Sequence, residues 1–393
     1  MTQNPISVTG GPSANNDGGA RRYRMQGVVF AAFDKVLSFF IDARGSAKIP
    51  EKPKNILVIN AGHLGDIVIS TGVLPVLRDA FPDAEIGFLT VTYSRAVVEG
   101  HPLIKHVHFL DHWRLARTNV SLISRMIAYY TSWPALIREL RAVKYDMSLD
   151  LRAWFPNYIP LVWLAGIPVR AGFNRVGFSP LLTHERAYVY RSRHELDQQL
   201  EILRCINLPA KSLALAAPVL APITAEDRSF VEGVIGKGVR YRVLHPTAST
   251  PARDWPVERW IELARHLVDD GITPVITGAG QRDAAIAQAI CENIQGAVNS
   301  VGKLSWLQLM AALEGAEVVY SVETSVGHIA SALGRPVVAI YGGMSDVVHW
   351  APLGSRIATH PMPCAPCYNQ KGCSHRSCLV SLSVADVEAV ARK

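Results

Sequence analysis

Apolar and polar positions along this chain follow two periods that take turns. Ile56 to Ile59, Glu85 to Thr90, His106 to Leu110 and Asp146 to Leu151 are short apolar runs of strand type. Between them, Asp66 toward Ala80 and Leu122 to Val143 carry the wider spacing of helices. The Trp133-Pro134 step is expected to break the second of these, because proline lacks the N–H that a helix interior needs. Strands alternating with helices imply a parallel sheet with right-handed crossovers. Leu215 to Thr224, with two prolines and several alanines, reads as a linker. The pattern then restarts with a strand at Tyr241 to His245 and a helix at Val257 to Asp270, with Gly271 as its C′ residue. A strand follows at Thr273 to Thr277, then Gly278-Ala279-Gly280 and a helix to about Glu292. Ser305 and Gln308 have capping-box spacing, and Trp306, Leu309, Met310 and Leu313 share one face expected to be core. Apolar runs at Ala316 to Tyr320 and Pro336 to Tyr341 flank a short helical pattern ending at Gly334.

This rhythm divides the chain into an arm (1–50), a first α/β unit (51–222) and a second (223–393). The default active site of such a pair is the cleft between them, at the C-terminal ends of the strands. In the arm, residues 1 to 20 are rich in Gly, Asn and Ser and are expected to be disordered. Val29, Phe33, Val36 and Phe40 then recur at helical spacing, widened by Phe30, Leu37 and Ile41 and preceded by Arg21, Arg22 and Arg24. The favoured placement of that stripe is against the body of the protein; a membrane interface is the alternative.

Composition narrows the partners. Of 393 residues, 49% are hydrophobic and 19% charged, enough for a large core. The formal charge of +7 is not gathered into a basic tract, which favours small acidic molecules or an anionic membrane face over nucleic acid. No apolar stretch reaches the ~20 residues that span a bilayer. Gly27 to Ile41 comes closest but holds Asp34 and Lys35 and starts too late for a signal peptide. A cytoplasmic location is expected, with peripheral membrane contact left open. Four of six cysteines, Cys364, Cys367, Cys373 and Cys378, have a spacing that fits zinc, although free thiols are the expected state.

Two loops carry candidate chemistry. Ser321 to His328 joins a strand to a helix start, where unpaired N–H groups and the helix dipole hold phosphate. Gly62-His63-Leu64-Gly65-Asp66 follows the first strand and is neither a dinucleotide fingerprint nor a Walker loop. A nicotinamide hydride-transfer enzyme is therefore disfavoured. What remains is a tight glycine turn that delivers a carboxylate at a helix start. Asp66 is either a helix cap or a general base. His328 is either packed on Ala332 or a ligand contact, and His245 either core or cleft lining. Arg170, Arg175, Arg186, Arg191 and Arg193, with His184 and His194, form either a solvated surface or a face for an anionic acceptor. Arg152, Arg170 and Arg175 head the acceptor-side candidates.

Several segments together resemble glycosyltransferase family nine, the heptosyltransferases of lipopolysaccharide core assembly. They are Ile56 to Pro75, Tyr145 to Leu151, Val169 to Gly172, Leu244 to Trp260, Glu323 to His328 with Gly334 to Pro336, and Cys364 to Leu379. In this likeness Val169 to Gly172 is the turn after the mid-domain strand. The resemblance runs from about Lys54 to the end. It implies a GT-B fold, with two Rossmann-like domains facing each other across a cleft. It also implies inverting, metal-independent transfer of a sugar, ADP-heptose being the donor of the best-known members, onto an anionic glycolipid. No cofactor is required beyond the nucleotide-diphosphate sugar as substrate. By this likeness Asp66 is the base, and Thr324, Ser325 and His328 contact the diphosphate. Arg253 pairs with phosphate, Thr247 and Ser249 add hydroxyls, and Gly62 and Gly65 shape the loop. Two positions depart from the family pattern: Glu323 stands for Asp and Ser325 for Gly. They motivate a rival expectation, a nucleotide-sugar-binding protein that no longer transfers sugar.

Overall fold

The computed structural model describes residues 28–114, 120–154, 157–175, 177–188, 193–369 and 372–392. The disordered start expected for residues 1 to 20, and Arg21, Arg22, Arg24 and Arg191, lie outside the described residues.

Two six-stranded sheets organise the chain. The first holds β1 (Asn55–Ile59), β2 (Glu85–Thr90), β3 (His106–Phe109), β4 (Met147–Asp150), β5 (Val169–Phe173) and β6 (His184–Arg186), in the order β3-β2-β1-β4-β5-β6. The second holds β7 (Tyr241–His245), β8 (Thr273–Ile276), β9 (Val298–Asn299), β10 (Val319–Val322), β11 (Val337–Tyr341) and β12 (Arg356–Thr359), in the order β12-β11-β10-β7-β8-β9. Every pairing is parallel. The two orders are the same when each sheet is counted from its own first strand. Each sheet therefore reverses direction once, between β1 and β4 and between β7 and β10. Loops at these switch points splay apart and leave room for a ligand.

Burial explains the strands. Ile56, Leu57 and Val58 of β1 and Val338 and Ile340 of β11 are fully buried, because helices cover both faces of a parallel sheet. The helices Leu64–Ser70 and Ser325–Ala332, one from each sheet's layer, place Ile67, Val326 and Ile329 in one continuous buried cluster. Segment 215–224 has no regular structure and is held to the first sheet's layer. The Thr71 hydroxyl accepts from the Val219 N–H at 3.0 Å, and His101 Nε2 meets the Val219 carbonyl at 3.0 Å.

Four sequence expectations need correction. The helix Leu122–Val143 is continuous through Pro134. The hydroxyls of Thr131 and Ser132 donate to carbonyls in the preceding turn, and Tyr129, Leu136 and Leu140 bury on both sides of the proline. Val169 to Gly172 is strand β5 rather than a turn, since all its side chains are buried. The strand expected at Ala316 to Tyr320 lies later, at Val319–Val322, so Ser321 and Val322 belong to it. The arm helix, residues 28–37, is turned the other way from its favoured placement. Phe30, Asp34 and Leu37 face the body, while Val29, Phe33, Val36 and Phe40 are exposed. Asp34 decides this, since its carboxylate accepts from Ser179 Oγ at 2.5 Å and from Ser179 N–H at 3.2 Å.

Candidate active site between the two sheets

The loop after β1 is built to present Asp66. Gly62 N–H donates to Asn60 Oδ1 at 2.8 Å, and the Tyr93 hydroxyl donates to the Gly62 carbonyl at 2.7 Å. The chain then enters the helix Leu64–Ser70, and Asp66 falls in its first turn. Asp66 Oδ2 accepts the His63 N–H at 2.8 Å and lies 3.6 Å from Arg152 Nη1. A Cβ on Gly62 would collide with the Asp66 carboxylate and sit 2.8 Å from Arg152 Nη1. Only glycine leaves the carboxylate its place. Asp66 thus caps its helix with one oxygen. Among the described residues, Oδ1 accepts no hydrogen bond.

Arg152 follows β4 across the switch point, and its N–H donates to Asp150 Oδ1 at 3.1 Å. Asp150 is buried, which raises its carboxyl to about 6 despite the N–H groups of Arg152 and Tyr158. Arg175 stacks on Trp154 at 4.5 Å and on Tyr188 at 5.2 Å, near enough for cation–π attraction. Arg170 is placed differently. It is buried, and its guanidinium donates to the carbonyls of Leu181 (2.7 Å), Ile167 (2.5 Å) and Pro168 (3.1 Å). It braces the end of the sheet and does not line the cleft. Arg193 pairs with Glu201 at 2.5 Å, Arg186 is exposed, and His184 meets the Thr183 hydroxyl at 2.9 Å.

The second sheet supplies the opposite wall. Thr324 is extended at the N-cap of Ser325–Ala332, and its hydroxyl caps nothing. The N–H groups of that helix's first turn are therefore left for an anion. Ser325 opens the helix without left-handed torsion, so serine in place of glycine carries no backbone strain here. Glu323 Oε1 accepts from Ser345 Oγ at 2.6 Å and lies 3.3 Å from Arg253 Nη2. Its Oε2 is buried and has no partner among the described residues. Burial raises the Glu323 carboxyl above its usual range, against the pull of Arg253 and Ser345. Thr247 Oγ1 donates to Asp283, which also accepts the Ala279 and Gly280 N–H groups at 3.0 and 2.7 Å. Ser249 is exposed on the same loop. His245 is buried against Thr277 Oγ1 at 3.0 Å, and burial takes its imidazole down to about 4. That places it in the core rather than the cleft wall.

The two walls meet at Gly65. A Cβ there would stand 3.2 Å from His328 Cδ2 and 3.7 Å from Ser325 Cα. Asp66 and the turn at Thr324 thus border one gap. His328 is held near 4 by burial, with His194 lowering it further and Asp66 opposing. It is neutral at neutral pH and offers one ring N–H. A separate cavity of about 320 Å³ lies at the N-terminal ends of β11 and β12, lined by Ser331, Arg335, Pro336 and Arg356, at the C-terminal end of the helix Ser325–Ala332. Among the described residues, no group of three or more Cys, His, Asp or Glu is placed to hold a metal. Cys364, Cys367, Cys373 and Cys378 are free thiols at the C-terminal end, with Cys373 exposed.

Sequence reasoning missed several supports. Ser345 and Tyr93 carried no motif. Trp154 and Tyr188 come from separate loops and meet only through the fold. Glu195 and His349, which join the two halves at 2.9 Å, are 154 positions apart by their numbers.

Residues 133–377 match glycosyltransferase family 9 (heptosyltransferase). The chain belongs to this family. It is by that membership a glycosyltransferase. Lipopolysaccharide heptosyltransferase 1 of Escherichia coli is 23% identical over 290 residues, covering 73% of this chain and 87% of that protein. A glycosyl transferase family 9 structure from Veillonella parvula superposes with a TM-score of 0.68 at 21% identity, covering 79% of this chain and 86% of that one. The E. coli ADP-heptose lps heptosyltransferase II gives 0.67 at 20% identity, covering 86% and 98%. These likenesses establish the GT-B architecture for this family 9 chain, two Rossmann-like halves facing across the gap just described.

Proposed function

We propose that this family 9 enzyme moves a heptose from ADP-heptose onto a lipopolysaccharide-core acceptor, inverting the anomeric carbon. Asp66 Oδ1 takes the proton of the acceptor hydroxyl as that oxygen bonds to the anomeric carbon. The bond from that carbon to the diphosphate oxygen breaks, and the nucleoside diphosphate leaves with the electron pair. The transition state has oxocarbenium character, as in glycoside hydrolysis. The first turn of Ser325–Ala332, the Thr324 hydroxyl, His328 and Arg253 stabilise charge gathering on the leaving group. These hydrogen-bond donors, with the Arg253 charge, serve the purpose a divalent ion would otherwise serve, so the scheme requires none. The unpartnered Oε2 of Glu323 accepts a sugar hydroxyl, and Thr247 and Ser249 border the donor. Arg152 and Arg175 face the anionic acceptor, which reaches the site from the cytosolic side of the inner membrane. The units 51–222 and 223–393 hold acceptor and donor respectively.

The observation that carries this reading is the shared border of Asp66 and the Thr324 helix start at Gly65. Asp66→Asn tests it. Turnover should fall ~10²- to 10⁴-fold, the share a general base supplies, with ADP binding unchanged. Near-normal turnover would make Asp66 a cap only. Acceptor-dependent release of nucleoside diphosphate from a panel of ADP-, UDP- and GDP-sugars identifies the donor. If none is released, the chain binds nucleotide sugars without transferring them.

A further inference from the structure

We propose that two exposed apolar faces flanking the acceptor side of the gap dock this enzyme onto an anionic lipid bilayer. The inference rests on the reading of a lipid-borne acceptor and names the surface that carries the enzyme to it. The first face is the arm helix and its sequel. Val28, Val29, Phe33, Val36, Phe39 and Phe40 all point to solvent, with Phe40 81% and Val36 60% exposed. The helix cannot roll to hide them, because Asp34 on its inner side is buried on Ser179. The edge-on contact of Phe33 with Phe178 (5.1 Å) fixes its height on the body. The second face is the first half of Leu122–Val143, where Leu122, Ile123, Ile127 and Tyr130 are outward, with Ile123 70% and Ile127 59% exposed. Contiguous apolar exposure of this kind marks an interaction surface.

The two faces belong to one end of the molecule. The helix Leu122–Val143 begins after β3, and the arm helix packs beside the loop after β5, so both lie at the C-terminal ends of the strands. The segment after β4 ties them together. The Tyr158 hydroxyl donates to the Leu110 carbonyl, and Asn157 Nδ2 donates to the Gly177 carbonyl at 3.2 Å. The helix Ile159–Leu164 then runs between them with Trp163 and Leu164 partly exposed. This is also the end where Asp66 and Arg152 open.

Charge selects the occupant. Between His112 and Arg138 the charged residues are Arg114, Arg117 and Arg125, with no acid. Between Arg21 and Lys35 the one acid is Asp34, which is buried, and Asp42 is paired with Arg44 at 2.5 Å. Apolar side chains flanked by basic ones suit a negatively charged leaflet, where insertion and electrostatic attraction add. A second copy of the chain would set arginines against arginines.

The test is co-sedimentation of the full-length protein with vesicles. It should bind phosphatidylcholine vesicles containing phosphatidylglycerol, bind pure phosphatidylcholine at least about tenfold more weakly, and release as salt rises. Phe39→Glu with Phe40→Glu, and Ile123→Glu with Ile127→Glu, should each lower partitioning by about tenfold or more. Both pairs should keep the wild-type circular dichroism spectrum and turnover on a detergent-dispersed acceptor. Equal binding to both vesicle types, or variants that sediment like wild type, would overturn the proposal. So would a solution dimer that the same substitutions split, or wild type staying in the supernatant. Vesicle binding without any sugar transfer would sink the transferase reading and leave the docking surface standing.

Discussion

Gly62 and His328 show how single residues set the state of the site. The Cβ of Gly62→Ala would fall on the Asp66 carboxylate and the Arg152 guanidinium. The loop stays tied by Asn60 and Tyr93, so the fold should survive while Asp66 moves. A displacement of about 1 Å costs roughly 10²-fold in rate, and steady-state kinetics beside a thermal melt separates the two effects. A Gly62→Ala enzyme with wild-type turnover would mean that Asp66 has slack the structure denies it. His328 makes a different prediction. Its imidazole is neutral in the fold and held near 4 by burial, against an ordinary value of 6.5. The unfolded chain therefore binds this proton first as pH falls. Stability from the neutral ring is complete above 6.5 and is lost as pH drops from 6.5 toward 4, by at most ~1.4 kcal/mol per pH unit for one proton. His245 titrates in the same window for the same reason. His112 does too, so His328→Gln should remove one residue's share of the acid-side loss in urea unfolding between these pH values. An unchanged slope would show that His328 is not buried neutral.

Elements were legible where one period dominated and nothing distant intervened. Glu85–Thr90 and Tyr241–His245 have the bounds their apolar runs announce, because every residue of the two strands except Glu85 and Arg242 is buried. The Ser305 capping box is present as its spacing promises, with Gln308 Oε1 accepting the Ser305 N–H at 2.9 Å. Pro134 misled because local rules price the missing N–H and not the packing that holds both halves of the helix. The arm helix misled for a related reason. An apolar stripe predicts a buried face only when nothing polar competes for the inside, and here Asp34 finds Ser179. That carboxylate is the anchor, and its loss has a defined reach. Asp34→Ala leaves the Ser179 hydroxyl and N–H without their acceptor, a cost of ~1–3 kcal/mol. Hydrogen exchange should then quicken in residues 28–40 and leave β1 and β7 unchanged. Exchange that stays slow in the arm helix would show that Phe30, Leu37 and Ile41 hold it alone.

The whole molecule was half legible. Two α/β units could be read from rhythm, and the two facing loops could be read because both switch points carry short segments with recognisable chemistry. The mutual placement of the units could not, since it rests on pairs that no local pattern connects. His349 is the clearest of these. It is fully buried between the halves, with Nδ1 facing the Arg193 carbonyl at 2.9 Å and Nε2 facing Glu195 and the Tyr188 hydroxyl, each at 2.9 Å. Its neighbour in the clasp, His194, meets the Ala351 carbonyl at 2.9 Å and also lowers His328, so the clasp and the site share a field. Burial works against the charged form of His349. The hydrogen bond and charge of Glu195 outweigh it, and the Arg193 carbonyl and Asp346 add to them, so its pKa ends above 6.5. The sign is then fixed: the clasp is complete below 6.5 and weakens as pH rises through the raised value, when Glu195 loses its charged partner. The two halves should hold together at mildly acid pH and separate more readily in mild alkali. Small-angle scattering across that range should show the radius of gyration increasing with pH for the wild type. Glu195→Gln removes the carboxylate that raises His349, so it should already show the expanded value at the acid end. A radius that stays flat with pH in both proteins would mean that the shared buried cluster around Ile67 and Ile329, not the clasp, sets how the halves meet.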